Sequence, residues 1–111
     1  MGKQGTILIV DDNKAILTAV QLLLRNYFDT ILVLSNPNSL LQTLDANPVD
    51  VILLDMNFKA GINSGNEGLY WLHEIKKNYP RIQVVLFTAY ADIELAVKGM
   101  KDGANNFIVK P

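Results

Sequence analysis

The stretch Val51-Ile52-Leu53-Leu54-Asp55 is an uninterrupted apolar run that ends in a carboxylate. Such runs predict strands of a parallel sheet whose two faces are both covered by helices. Three more segments follow the pattern: Thr6–Val10 before Asp11-Asp12, residues 84–87 before Thr88, and residues 107–109 before Lys110. In open α/β sheets, ligands bind outside the carboxyl ends of the strands. We therefore expect three carboxylates, a hydroxyl and an ammonium to meet in one crevice.

The segments between these strands have the periodicity of helices. Apolar residues recur every three or four positions, and capping residues stand at plausible starts and stops. The order of elements predicts an α/β fold with a doubly wound parallel sheet and right-handed crossovers, in one domain over residues 1–111. The predicted boundaries are a first helix opened by Asp12 or Asn13, a strand over Thr30–Leu34, a helix from Asn36-Pro37 to Asn47-Pro48, a third helix ending near Tyr79-Pro80, a fourth from Asp92 to Gly103, and a last strand over residues 105–109.

The composition excludes several classes of protein. A net charge of −1 gives no basic surface for nucleic acid and no electrostatic attraction to membranes. The absence of cysteine excludes a disulfide framework and a thiolate metal site. Asp11 interrupts the first apolar run, so the N-terminus does not resemble a signal peptide, and no apolar stretch has the length of a membrane span. We expect a soluble cytoplasmic domain that binds neither nucleic acid nor membrane.

Asp11, Asp12 and Asp55 are the candidate metal ligands. Neighbouring carboxylates repel one another by roughly 4 kcal/mol per pair at an effective dielectric of 20. Such a cluster therefore needs a cation, shared protons or solvation. Oxygen ligands without histidine or cysteine favour Mg²⁺, with Asp12 nearer the metal and Asp11 in support. Considered singly, each aspartate could instead be a turn residue, a helix cap or an ion-pair partner.

Asp55, Thr88 and Lys110 together suit phosphoryl transfer. A carboxylate can attack phosphorus and form an acyl phosphate, which makes Asp55 the candidate nucleophile. The Thr88 hydroxyl can donate to a phosphoryl oxygen, and Lys110 can supply a positive charge. Each residue alone would be unremarkable, and only the combination indicates this chemistry.

The chain resembles the receiver domain of two-component response regulators over nearly its whole length. The segments that carry the resemblance are Ile9-Val10-Asp11-Asp12-Asn13, Val51–Asp55, Phe87-Thr88-Ala89, Gly103-Ala104 and Phe107-Ile108-Val109-Lys110-Pro111. The resemblance implies a flavodoxin-like five-stranded sheet of order 2-1-3-4-5. It also implies a signalling switch that accepts a phosphoryl group on Asp55 from a histidine kinase or a phosphotransfer protein, with Mg²⁺. Such a domain is not a classical enzyme, but it catalyses its own phosphorylation and dephosphorylation.

The same resemblance assigns roles to single residues. Asp11, Asp12, Asp55 and the backbone carbonyl of Asn57 would hold the metal. Thr88 and Phe107 would form the switch, and Asn57 and Tyr90 would tune how fast the acyl phosphate hydrolyses. Residues 88–104 resemble receivers of enhancer-binding transcriptional activators, which implies an output domain with ATPase and DNA-binding parts.

Two departures from the family pattern affect these expectations. Lys59 stands where the family usually has proline, and Gly68 comes five residues late, so residues 59–67 form an altered loop. The family's last helix is absent after strand five. About 400 Å² of uncovered apolar sheet would forfeit about 10 kcal/mol of gross burial free energy. We expect a fragment of a longer protein that is marginal as a monomer or shielded as a homodimer.

Two other functions remain open from the sequence. One is a phosphate-independent interaction module with the receiver fold. The other is a phosphatase of the haloacid dehalogenase type, which would need Asp-x-Asp after strand one, where this chain has Asp11-Asp12-Asn13. His73 and the Lys76-Lys77 pair are interpreted as solvated helix residues.

Overall fold

The computed structural model describes residues 5–56 and 66–110, with Asn66 described by its backbone alone. In this part of the chain, five parallel strands form one sheet in the order β2-β1-β3-β4-β5. The predicted fold class and strand order are confirmed. The strands are β1 (Thr6–Val10), β2 (Thr30–Leu34), β3 (Val51–Asp55), β4 (Gln83–Thr88) and β5 (Asn106–Val109).

Helices cover both faces of the sheet, and their ends follow local capping chemistry. They are α1 (Lys14–Leu24), α2 (Leu40–Ala46), α3 (Asn66–Asn78) and α4 (Ile93–Lys101), with short 3₁₀ turns at Pro37–Ser39 and Tyr90–Asp92. Asn13 caps α1, and Gly103, with φ of 115°, follows the end of α4. Asp92 occupies the predicted N-cap of α4, but its side chain makes no capping hydrogen bond. None of the helices in these two ranges has the length and apolar character needed to cross a membrane.

The register of the parallel pairs aligns the carboxyl ends of the strands. Val10 pairs with Leu54, and Asp55 pairs with Phe87. On the other side of β4, Thr88 pairs with Val109, which directly precedes Lys110. The residues at the ends of these pairs, or directly after them, therefore lie along one edge of the sheet, where the site was predicted.

The two faces of the sheet are packed unequally. The larger core cluster includes residues of α2, α3 and α4, whereas the cluster beside α1 has five buried members: Ile7, Ile9, Leu17, Leu53 and Phe87. An apolar groove of about 300 Å³ lies along α1, with Val20 and Leu23 on one wall and Phe87 and Ile108 on the other. The α1 face is thus the thinly covered one.

Candidate phosphoryl-transfer site

Asp55 and Lys110 form the centre of the site. Asp55 is the last residue of β3 and has no exposed surface. The Lys110 ammonium lies 2.8 Å from Asp55 Oδ1 and 3.0 Å from Asp11 Oδ2, with its own side chain 15% exposed. A buried carboxylate is costly without a compensating charge. Lys110 supplies that charge to both aspartates.

Asp11 is held from two directions. It has no exposed surface, and its Oδ1 accepts a hydrogen bond from the backbone N–H of Asn13 at 2.9 Å. Its own N–H donates to the carbonyl of Leu34 at 3.0 Å, which continues the β1–β2 pairing by one residue. The Asp11 carboxylate is therefore fixed between the turn that leads into α1 and the Lys110 ammonium.

The two carboxylates change the acid–base behaviour of Lys110. Burial by itself lowers the pKa of the ammonium, but its hydrogen bonds to Asp55 and Asp11, together with their charges, outweigh the burial. The pKa of Lys110 therefore lies above its ordinary value of 10.5. The side chain stays charged at neutral pH, so it can balance added negative charge at Asp55.

Asp11, Asp12 and Asp55 fit a divalent cation. One carboxylate oxygen from each lies within 4.8 Å of the others. Asp12 is half-buried, unlike its two buried neighbours. An all-oxygen set of this kind suits a hard ion such as Mg²⁺, which usually keeps several waters. The fourth predicted ligand, Asn57, lies outside the described residues.

Thr88 ends β4 with no exposed surface. Its hydroxyl is shared between the carbonyls of Ala89 and Asp92, both at 3.3 Å. The backbone carbonyl of Thr88 accepts from the N–H of Lys110 at 2.7 Å. Thr88 thus links the site to the 3₁₀ turn before α4 through its side chain, and to Lys110 through its backbone.

The two remaining described candidates lie around this centre. Phe107 is opposite Leu86 in the β4–β5 pair and packs, half-buried, against the larger core cluster. Tyr90 opens the 3₁₀ turn two residues after Thr88, and 80% of it is exposed. Phe107 therefore belongs to the packed core, whereas Tyr90 is open to solvent.

Sequence reasoning missed several polar contacts. His73 Nε2 lies 3.0 Å from Asp102 Oδ2, so α3 is tied to the end of α4. Lys76 is half-buried, and its ammonium donates to the carbonyl of Ile82 at 2.9 Å and to Asn105 Oδ1 at 2.8 Å. Burial lowers the pKa of Lys76. Asp102 and Asn105 are each 29 residues away from their partners along the chain, and Ile82 lies after the end of α3. Helical periodicity therefore gives no signal for these contacts.

The comparison with known families shows which protein family the chain belongs to. Residues 7–111 match the response regulator receiver domain family. The chain belongs to this family. The prediction from the resemblance is thereby confirmed, and the receiver fold follows from both the family match and the strand order.

Individual relatives support the same classification. The chain is 59% identical to the N-terminal signal receiver domain of a two-component response regulator from Bacteroides fragilis, with a TM-score of 0.88 over 98% of this chain and 86% of that one. The receiver domain of NtrX from Brucella abortus is 30% identical, with a TM-score of 0.84 over 95% and 85% of the two chains. The transcriptional regulatory protein ZraR of Klebsiella oxytoca is 32% identical over 110 residues, which are 99% of this chain and 24% of ZraR.

The chain therefore spans about a quarter of the length of the curated relatives that it matches. ZraR and NtrC are named transcriptional regulators, and a further relative is named a putative NtrX-like response regulator, in agreement with the predicted receiver of an enhancer-binding regulator. The family match supports a role in signal transduction.

Proposed function

We propose that the domain is a phosphorylation switch whose phospho-acceptor is Asp55. The observation that carries the proposal is the pair formed by a buried Asp55 and the ammonium of Lys110 at 2.8 Å, beside two further aspartates. A lysine alone would suffice to neutralise one carboxylate. The additional carboxylates favour a site that also receives a cation and a phosphoryl group.

The reaction requires positioning and charge balance more than acid–base chemistry. A carboxylate oxygen of Asp55 attacks the phosphorus of a phosphohistidine, and an acyl phosphate forms as the P–N bond breaks. The electron pair of that bond returns to the imidazole of the donor. Lys110 then exchanges part of its contact with Asp55 for the new phosphoryl oxygens. Hydrolysis by water regenerates the Asp55 carboxylate and inorganic phosphate.

Mg²⁺ is the cofactor that this donor set favours, held by Asp11, Asp12 and Asp55, with the Asn57 carbonyl as a further proposed ligand. When bound, the ion supplies positive charge that offsets the charge of the transferring group. Asp11 contributes from its fixed position against Lys110 and the turn before α1. Asp12 is half-buried and so more accessible to solvent than Asp11.

The switch would operate through Thr88. Its hydroxyl now donates to the carbonyls of Ala89 and Asp92, and a phosphoryl oxygen on Asp55 is a stronger, charged acceptor. Transfer of this hydroxyl to the phosphoryl group releases the 3₁₀ turn before α4. The ring of Phe107 would then turn inward, as the family resemblance implies. Asn57 and Tyr90 are proposed to tune the rate of hydrolysis.

The partners follow from this role. The donor would be a histidine kinase or a phosphotransfer protein, and the recipient of the signal an output domain with ATPase and DNA-binding parts. Residues 1–111 would be the receiver domain of a longer cytoplasmic protein that also contains the output domain. The receiver domain itself would bind neither nucleic acid nor membrane. Self-association as a homodimer stays a prediction, which sedimentation at several concentrations tests.

The alternative is a phosphate-independent interaction module with the same fold, and one experiment separates the two. The protein is incubated with Mg²⁺ and acetyl phosphate, and its intact mass is followed with time. We expect one labile phosphoryl adduct, absent in Asp55→Asn and retained in Asp45→Asn, an exposed aspartate of α2. The absence of an adduct at a saturating concentration of acetyl phosphate would favour the phosphate-independent interaction module. Steady turnover of many phosphomonoesters would indicate a phosphatase.

A further inference from the structure

Asn13 is an exposed residue that makes three hydrogen bonds in the turn between β1 and α1. Its side-chain Oδ1 accepts from the N–H of Ile16 at 3.2 Å, which caps α1. Its carbonyl accepts from the N–H of Leu17 at 3.1 Å, and its N–H donates to Asp11 Oδ1 at 2.9 Å. Asn13 therefore caps α1 with its side chain and holds the Asp11 carboxylate with its backbone N–H.

These bonds continue into the phosphoryl-transfer site. Asp11 Oδ2 lies 3.0 Å from the Lys110 ammonium, which lies 2.8 Å from Asp55 Oδ1. A continuous series of polar contacts thus runs from the helix cap at Asn13 through Asp11 and Lys110 to the proposed phospho-acceptor, Asp55. Asp12 lies inside the same turn, between Asp11 and Asn13, so its backbone is fixed by the same contacts.

We infer that Asn13 is a positioning residue for the metal and acceptor carboxylates, acting through the turn that its side chain closes. The inference rests on the proposed function, since it assigns Asn13 a part in the same site. With the cap in place, Asp11 and Asp12 are held ready for a cation. Without it, the turn samples other conformations, and only a fraction of molecules present both carboxylates correctly.

Asn36 provides a matched control. Like Asn13, it is an exposed asparagine that comes shortly after a strand, and its Oδ1 accepts from the N–H of Asn38 at 2.9 Å at the start of the 3₁₀ turn before α2. Among the residues that the structure describes, no hydrogen bond of its side chain leads to Asp11. Asn13→Ala and Asn36→Ala therefore remove the same kind of cap, at the same edge of the sheet, with and without a connection to the site.

The experiment measures the Mg²⁺ dissociation constant by calorimetry, the initial rate of phosphorylation by acetyl phosphate, and the melting temperature. For Asn13→Ala we expect Mg²⁺ binding about fivefold weaker, with a slower phosphorylation rate at subsaturating Mg²⁺. Asn13→Ser keeps a cap and should recover most of the affinity. Asn36→Ala should show a comparable loss of melting temperature and wild-type Mg²⁺ affinity.

The outcomes distinguish this inference from the proposed function. If the wild-type protein takes up phosphoryl groups and Asn13→Ala binds Mg²⁺ as tightly as wild type, Asn13 does not position the site. Equal weakening in Asn13→Ala and Asn36→Ala would reduce Asn13 to a general stabilising cap and overturn the inference. A wild-type protein that accepts no phosphoryl group overturns the proposed function, and this inference with it.

Discussion

Lys110 Nζ lies 2.8 Å from Asp55 Oδ1, although 55 residues separate the two along the chain. The same ammonium lies 5.3 Å from the centre of the Phe87 ring, so it spans the ends of β3, β4 and β5. The side chain therefore has two tasks in one position. It neutralises the buried carboxylates of Asp11 and Asp55, and in the proposed function it would also contact the phosphoryl group on Asp55.

Removal of the Lys110 charge should destabilise the domain. In Lys110→Met, Asp11 and Asp55 stay buried without their ammonium, and we expect the free energy of unfolding to fall by about 3 kcal/mol. Mg²⁺ should restore more stability to this variant than to wild type, because the cation replaces the lost charge. Urea unfolding with and without Mg²⁺ measures both effects. Lys77→Met, at an exposed position of α3, is the control, and an equal loss in both variants would contradict the prediction.

The stabilisation from Lys110 should persist to high pH. The pKa of Lys110 is raised in the folded state above 10.5, whereas an unfolded lysine titrates near its ordinary value. A raised pKa in the folded state means that the contribution is complete below the unfolded pKa and is lost as pH rises through the folded one. The difference in unfolding free energy between wild type and Lys110→Met should thus be constant from about pH 7 to 9 and shrink above about pH 10.5. A difference that shrinks already below pH 9 would contradict this assignment.

The fold was predictable because the strands are short and mostly apolar. β1 and β2 have the predicted bounds, and β3 and β4 extend beyond them by one or two residues into Asp55, Gln83 and Thr88. Those residues are polar, so apolar patterning could not include them. The backbone nevertheless continues to pair there, since a strand end is set by its neighbour's hydrogen bonds as well as by its own side chains.

The convergence of the site was also predictable, whereas its connections were not. Parallel strands in register bring Asp11, Asp55, Thr88 and Lys110 to one edge by topology alone. The direction of the Thr88 hydroxyl toward Asp92 depends on the 3₁₀ turn at Tyr90–Asp92, which has no periodicity to reveal it. The Asn13 N–H bond to Asp11 depends in the same way on a turn of three residues.

The hydroxyl of Thr88 should control the start of α4. Thr88→Val keeps the shape of the buried side chain but removes the donor to the Asp92 carbonyl. We expect hydrogen exchange in residues 90–93 to be faster than in wild type before phosphorylation, and to change little when beryllofluoride is added. Wild type and Thr88→Ser should instead respond to beryllofluoride. A Thr88→Val variant that still responds like wild type would exclude the hydroxyl as the link.

Gly68 should be intolerant of a side chain, in contrast to Gly99. A Cβ at Gly68 would lie 2.9 Å from Met56 Cα and 3.1 Å from its carbonyl oxygen, so α3 would have to move away from the residue that follows Asp55. A Cβ at Gly99 would meet Leu86 Cδ1, the flexible end of a side chain, and alanine favours a helix by about 1 kcal/mol over glycine. We expect Gly68→Ala to lower the free energy of unfolding by about 2–3 kcal/mol and Gly99→Ala by about 1 kcal/mol or less.

The two glycine variants also separate local stability from the geometry of the acceptor. Both changes lie in helices of the same face, but only Gly68 contacts the backbone next to Asp55. Phosphorylation by acetyl phosphate should therefore slow in Gly68→Ala at a temperature where both variants are folded, and stay near the wild-type rate in Gly99→Ala. Equal rates in the two variants would mean that the close approach of α3 to Met56 serves packing alone. A slower rate confined to Gly68→Ala would mean that the position of α3 helps to set the position of Asp55.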